Sequence, residues 1–195
     1  MPRAGLTEER VVEEAERLAD EVGLSNLTLA ALADRLGVRQ PSLYKHIAGM
    51  DALQRSIAIR AKVELTDTLA RAAVGRWRGE AIAAVARAYR TWAHQHPGRY
   101  AAGQRAPDPG DAEDEAASNT AVQVVADVLS GFDLGGDDAI DAIRALRSAL
   151  HGFVSLEAEG GFGLPLDVDR SFDRLVQGMV SAFASWDTDA RTPVD

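Results

Sequence analysis

Apolar residues recur every three to four positions along almost the whole chain, and no run of β-branched or aromatic residues alternates as a strand would. Val11, Ala15, Leu18, Ala19 and Val22 form the first stripe, behind Thr7 as N-cap and ahead of Gly23 at the C-terminal end. Leu29, Leu32, Ala33 and Leu36 form a shorter one, capped by Thr28 and closed by Gly37. A second short helix opens at Gln40 and Pro41, because proline suits a first helical turn. Leu53, Ile57, Ala61, Leu65 and Leu69 then carry a long helix from Asp51 to about residue 73. The spacing predicts further helices over 80–96, through Tyr100, and over 112–129, 137–157 and 169–185. The stretch 106–119, with two prolines and five acidic residues, reads as a solvated connection running into a charged helix start. The expected fold class is all-α, with a small three-helix unit over 1–50 and a larger helical remainder over 51–195.

Composition narrows the chemistry. The 195 residues include no cysteine, which excludes disulfides, thiolate metal sites and cysteine nucleophiles. Apolar residues make up 46% of the chain, enough for a packed core. Charge interrupts the N-terminus before an apolar leader can form, and nothing approaches the roughly 18 apolar residues of a membrane span. A cytoplasmic protein is expected.

Charge changes the picture more. The net charge of −9 argues globally against a polyanionic partner. Between Arg35 and Lys62, however, six basic residues (Arg35, Arg39, Lys45, Arg55, Arg60, Lys62) face Asp51 alone, while upstream eight acidic residues outnumber three basic ones. The basic residues cluster on the two short helices and the start of the long one.

Two short helices meeting at a glycine, the second rich in Gln, Ser, Tyr, Lys and His, have the build of a helix-turn-helix, whose second helix enters the major groove of DNA. Gln40 can pair with adenine, Ser42 with base edges or phosphate, and Pro41 can touch a thymine methyl; Tyr44, Lys45 and His46 can reach phosphates. Ala33, Leu36, Val38, Leu43 and Ile47 face the core.

The segment "LTLAALADRLGVRQPSLYKHIAGMDAL" resembles the DNA-binding segment of the tetracycline-repressor (TetR) family of bacterial regulators, closely over residues 7–60 and more loosely beyond. The resemblance implies a helix-turn-helix domain over 1–50 and an effector-binding and dimerisation domain over 51–195. It implies a homodimeric repressor that leaves a palindromic, double-stranded DNA operator when a small molecule binds. By matched position, Thr28 would hold a phosphate, Gln40, Pro41 and Ser42 would face bases, and Tyr44 and His46 would lie on the backbone. Two positions depart from the family: Met50 replaces a common phosphate-pairing lysine, and Ala30 stands where a base-reading arginine occurs. Affinity then rests more on Arg39 and Lys45, with Arg3.

In the larger part, Tyr89, Trp92 and Phe153 are candidates to line a ligand cavity, with Gln123 and His151 as polar groups on apolar helices that must find partners. No metal site is expected, because His94 and His96 diverge on one helix, and no cofactor is implied. A small helical enzyme using His151 with Glu157 or Glu159 as acid and base is the alternative, and it leaves the basic cluster unexplained. Finally, Phe172, Val176, Met179 and Phe183 form a stripe on the last helix, and Ile143, Leu150 and Val154 one on the helix before it. These mark a two-fold dimer interface built as a four-helix bundle.

Overall fold

The computed structural model describes residues 6–189, with side chains to Trp186; Arg3 lies outside them. Eight α-helices occur among the described residues: α1 Glu8–Val22, α2 Leu29–Leu36, α3 Met50–Ala73, α4 Arg78–Gln95, α5 Pro97–Gly103, α6 Ala112–Leu129, α7 Gly136–Ala158 and α8 Val168–Asp189. They carry no strand, and none is long and apolar enough to cross a membrane.

The chain forms two compact bodies. One runs to Glu64 and takes in Gln95–Ser118; the other comprises Leu65–His94 and the chain from Asn119 onward. The first body thus reaches past residue 50, and charge explains why. The acidic stretch after α5 is not merely a solvated connection: Asp111 and Glu113 accept hydrogen bonds from Arg55 of α3, and Asp114 pairs with Lys62, about two turns further along α3.

The first body packs around Val11, Val12, Ala15, Leu18 and Ala19 of α1, Leu32 and Ala33 of α2, then Leu43, Ile47, Leu53 and Ile57, all buried. In the second body the buried residues include Ile82, Val85, Tyr89 and Trp92 of α4, Phe132 in the 3-10 turn Ser130–Phe132, Leu146, Leu150 and Val154 of α7, and Phe172, Val176 and Phe183 of α8. Phe132 meets Phe183 edge-on at 6.1 Å.

Candidate nucleic-acid interface

Each end of α2 is defined by one residue. Thr28, in extended backbone, accepts a hydrogen bond at Oγ1 from the Ala31 amide at 3.2 Å. As acceptor in that cap, the hydroxyl keeps its own hydrogen to donate. At the other end Gly37 is left-handed, φ 67° and ψ 33°, a conformation that costs a residue with a Cβ. The Val38 amide donates to Ala33 O and the Gly37 amide to Asp34 O, the paired bonds of a Schellman turn. That turn reverses the chain into the next segment with Val38 against the core.

The short helix expected from Gln40 and Pro41 is a 3-10 helix, Gln40–Lys45. Pro41 brings no amide hydrogen, and the segment is too short for an α-helical ladder: Ser42 N bonds to Arg39 O at 2.8 Å and His46 N to Leu43 O at 2.8 Å. Leu43, at 0% exposure, fixes the segment to the core. Around that anchor Arg39, Gln40, Pro41, Tyr44 and Lys45 are exposed, Tyr44 by 56%, while Ser42 and His46 are half-buried. Six side chains expected at DNA, with Arg39, thus lie on one short stretch, and Thr28 stands apart from them at the start of α2.

The charge balance differs from the expectation. Four of the six basic residues of the cluster are taken by carboxylates. Arg35 binds Glu14 and Glu21 of α1, Arg55 binds Asp111 and Glu113, Arg60 binds Glu16, and Lys62 binds Asp114. Their partners hold the Arg35 and Arg55 guanidiniums well above their ordinary range, chiefly by direct hydrogen bonds. Arg39 and Lys45 carry no ion pair among the described residues, so the cationic surface is narrower than the count of basic residues suggests. The signal for this was in the sequence: Glu14 and Glu21 lie two turns apart on one face of α1.

The ligand candidates fall in the second body. Tyr89 and Trp92 are buried, His151 and Phe153 half-buried. Phe153 sits in an aromatic cluster, 5.0 Å from Phe172 and 4.7 Å from Phe162, with the Arg90 guanidinium over its ring at 5.7 Å. Gln123 is exposed and donates to Asp127. Glu157, weighed as an acid–base partner for His151, is instead gripped by Arg90 and His94, and Arg90 above all holds its carboxyl below the usual range.

The stripe expected at a dimer interface is largely internal. Leu150, Val154, Phe172, Val176 and Phe183 are buried within the chain itself, and Ile143 and Met179 are half-buried. The most regular apolar stripe of each helix is the one by which it packs in its own body. Beside it run mostly small residues, Ala145, Ala149 and Gly152 with Leu156 on α7 and Ser171, Gly178 and Ala182 with Leu175 on α8, all exposed or half-buried.

Residues 11–57 match the family described as bacterial regulatory proteins, tetR family, and residues 82–179 match the tetracyclin repressor-like C-terminal domain. The chain is 41% identical to the uncharacterized HTH-type transcriptional regulator Rv0681 of Mycobacterium tuberculosis, over 89% of this chain and 79% of that one. It is 35% identical to the uncharacterized HTH-type transcriptional regulator YobS of Bacillus subtilis, over 92% and 94% respectively. Its fold is similar to that of a TetR variant from Acinetobacter baumannii AYE solved in complex with minocycline, with a TM-score of 0.71 at 22% identity, covering 97% of this chain and all of the other. With a side-chain-capped α2 and a leucine-anchored 3-10 segment in its first body and a helical second body, the chain belongs to the TetR family of DNA-binding transcriptional regulators.

Proposed function

We propose that the protein is a bacterial, cytoplasmic repressor that binds a palindromic operator as a homodimer and leaves it when a small molecule binds the helical part of the chain. The observation that supports the DNA reading most is the exposed set Gln40, Pro41, Tyr44 and Lys45 around a fully buried Leu43. Gln40, Pro41 and Ser42 read base edges; Thr28, Arg39, Tyr44, Lys45 and His46 contact phosphates and fix the register. Catalysis plays no part in this reading.

The dimer is built on the small-residue faces of α7 and α8. Glycine inside a helix costs roughly 1 kcal/mol relative to alanine, so a mid-helix glycine needs a reason. Within the chain Gly152 and Gly178 have none, because a Cβ at either would meet no atom within 4 Å. Close approach of the same helices from a second copy supplies the reason, giving an isologous four-helix bundle. Two reading segments then meet successive major grooves about 34–36 Å apart. An effector acts by binding a differently spaced state more tightly than the DNA-competent one.

The test is footprinting on the DNA upstream of the protein's own gene. A protected inverted repeat supports the reading; uniform binding along that DNA at low salt removes it.

A further inference from the structure

Lys62 of α3 and Asp114 of α6 form an ion pair closed off from solvent, with side chains 8% and 0% exposed. Nζ lies 2.5 Å from Oδ1. The second carboxylate oxygen, Oδ2, is equally inaccessible yet accepts no hydrogen bond, and the buried Oγ of Ser118 is likewise without a partner. Residues four apart on a helix share a face, so Asp114 and Ser118 lie on the same side of α6, and neither atom satisfies the other. Buried polar atoms nearly always find partners, and a half-satisfied buried network is an expensive thing for a fold to keep. The buried carboxylate of Glu16 in the same body does better, using both oxygens on Arg60.

We propose that Asp114 Oδ2 and Ser118 Oγ are the polar anchor of the effector site, and that the effector is a neutral molecule ending in a hydrogen-bond donor, an alcohol or an amide N–H. The proposal rests on the effector-responsive reading above and names the chemistry of its ligand. The donor requirement follows from the free carboxylate oxygen, which can only accept, while Ser118 can accept from or donate to the same head group. The neutrality follows from the charge balance. Lys62 already compensates Asp114, so an ammonium or carboxylate head would bring a second, uncompensated charge into a closed site.

The location gives the ligand a route to DNA. The helix α3 that carries Lys62 begins at Met50, four residues after His46. A donor that draws the Asp114 carboxylate toward itself loosens its hold on Lys62, and so acts on the helix leading directly out of the reading segment.

Four probes share one apolar body and differ in the head: phenethyl alcohol, phenethyl methyl ether, phenethylammonium and hydrocinnamate. Each is titrated into the full-length protein by calorimetry, and the same titrations are followed by anisotropy of labelled promoter DNA. The alcohol is expected to bind about tenfold or more tightly than the other three, as for a site built around a substrate hydroxyl. Ser118→Ala, which removes one polar atom without adding charge, is expected to erase most of that advantage. Asp114→Asn tests the carboxylate directly, and Ser118→Ala carries the test alone if that variant fails to fold. The proposal is overturned if the alcohol does not bind, if the ether or a charged head binds equally well, or if Ser118→Ala keeps the full advantage. The anisotropy arm separates the two readings: protein that never holds promoter DNA refutes the repressor, whereas the head-group order decides the anchor.

Discussion

Gly98 of α5 lies against the main chain of α1: a methyl group on its Cα would sit 2.2 Å from the carbonyl carbon and oxygen of Ala19 and 2.6 Å from the Asp20 nitrogen. The next residue, Arg99, completes the junction. Its amide donates to Asp20 Oδ1 at 2.9 Å and its Nε to Oδ2 at 2.7 Å. The short helix α5 is therefore fixed to α1, the helix that packs against α2.

Because the atoms facing Gly98 are backbone, no side chain can yield to a larger residue. Gly98→Ala should cost about 3 kcal/mol or more, at the upper end of what overpacking costs. Urea unfolding measures it; a loss under about 1 kcal/mol would mean that α5 can lift away from α1 freely.

Salt dependence separates the cations that fold the protein from those that bind DNA. Arg39→Ala and Lys45→Ala should each flatten the slope of log affinity against log salt by about 0.9. Arg35→Ala and Arg55→Ala should leave the slope unchanged, since their charges are already spent on Glu14, Glu21, Asp111 and Glu113.

Base reading and phosphate contact should also part company. Gln40→Ala should cost about 1–3 kcal/mol on the operator and relax preference at one base pair, whereas Lys45→Ala should weaken operator and random DNA alike. Binding to a library of single-base operator variants distinguishes the two.

Acid should loosen the attachment of α6. Arg55 holds the Asp111 carboxyl down to about 2, mainly by a direct hydrogen bond. An unfolded aspartate titrates near about 3.9, so this stabilisation is complete above that value and fades as pH falls toward about 2. In Asp111→Asn the difference in urea midpoint from the parent should be full at neutral pH and shrink across that window. A difference that persists below it would show that the pair contributes nothing through its charge.

The dimer face is open to direct attack. Replacing Gly152 and Gly178 together by glutamate should give a folded monomer, since each substitution removes a helix-weakening glycine worth roughly 1 kcal/mol and meets no atom of its own chain. Light scattering should report half the parent mass, with unchanged helicity by circular dichroism. A parent protein that is itself monomeric at micromolar concentration would contradict the arrangement.

Helix positions were legible because they depend on local chemistry. Thr7 and Thr28 cap where a threonine ahead of an apolar stripe should, and Gly37 ends α2 where a residue free to be left-handed is needed. What escaped was non-local. Nothing near Arg55 in the chain announces Asp111, 56 residues away, so a basic run looked like a free positive surface. The 3-10 form of Gln40–Lys45 escaped because apolar spacing over six residues does not distinguish three residues per turn from 3.6. The stripe read as a dimer interface is largely internal for a related reason: periodicity finds the most apolar face of α8, and that face packs in the helix's own core, as the burial of Phe172 and Phe183 shows.

The central claim, that residues Gln40–His46 read a specific DNA site, is tested most directly by equilibrium anisotropy. The full-length protein is titrated at fixed physiological salt against labelled duplexes tiling the DNA upstream of its own gene and against a shuffled duplex of equal length. One tile containing an inverted repeat should bind on the order of a thousandfold or more tightly than the shuffled duplex, with the advantage reduced in Gln40→Ala. Equal affinity for every tile and the shuffled control would contradict the account.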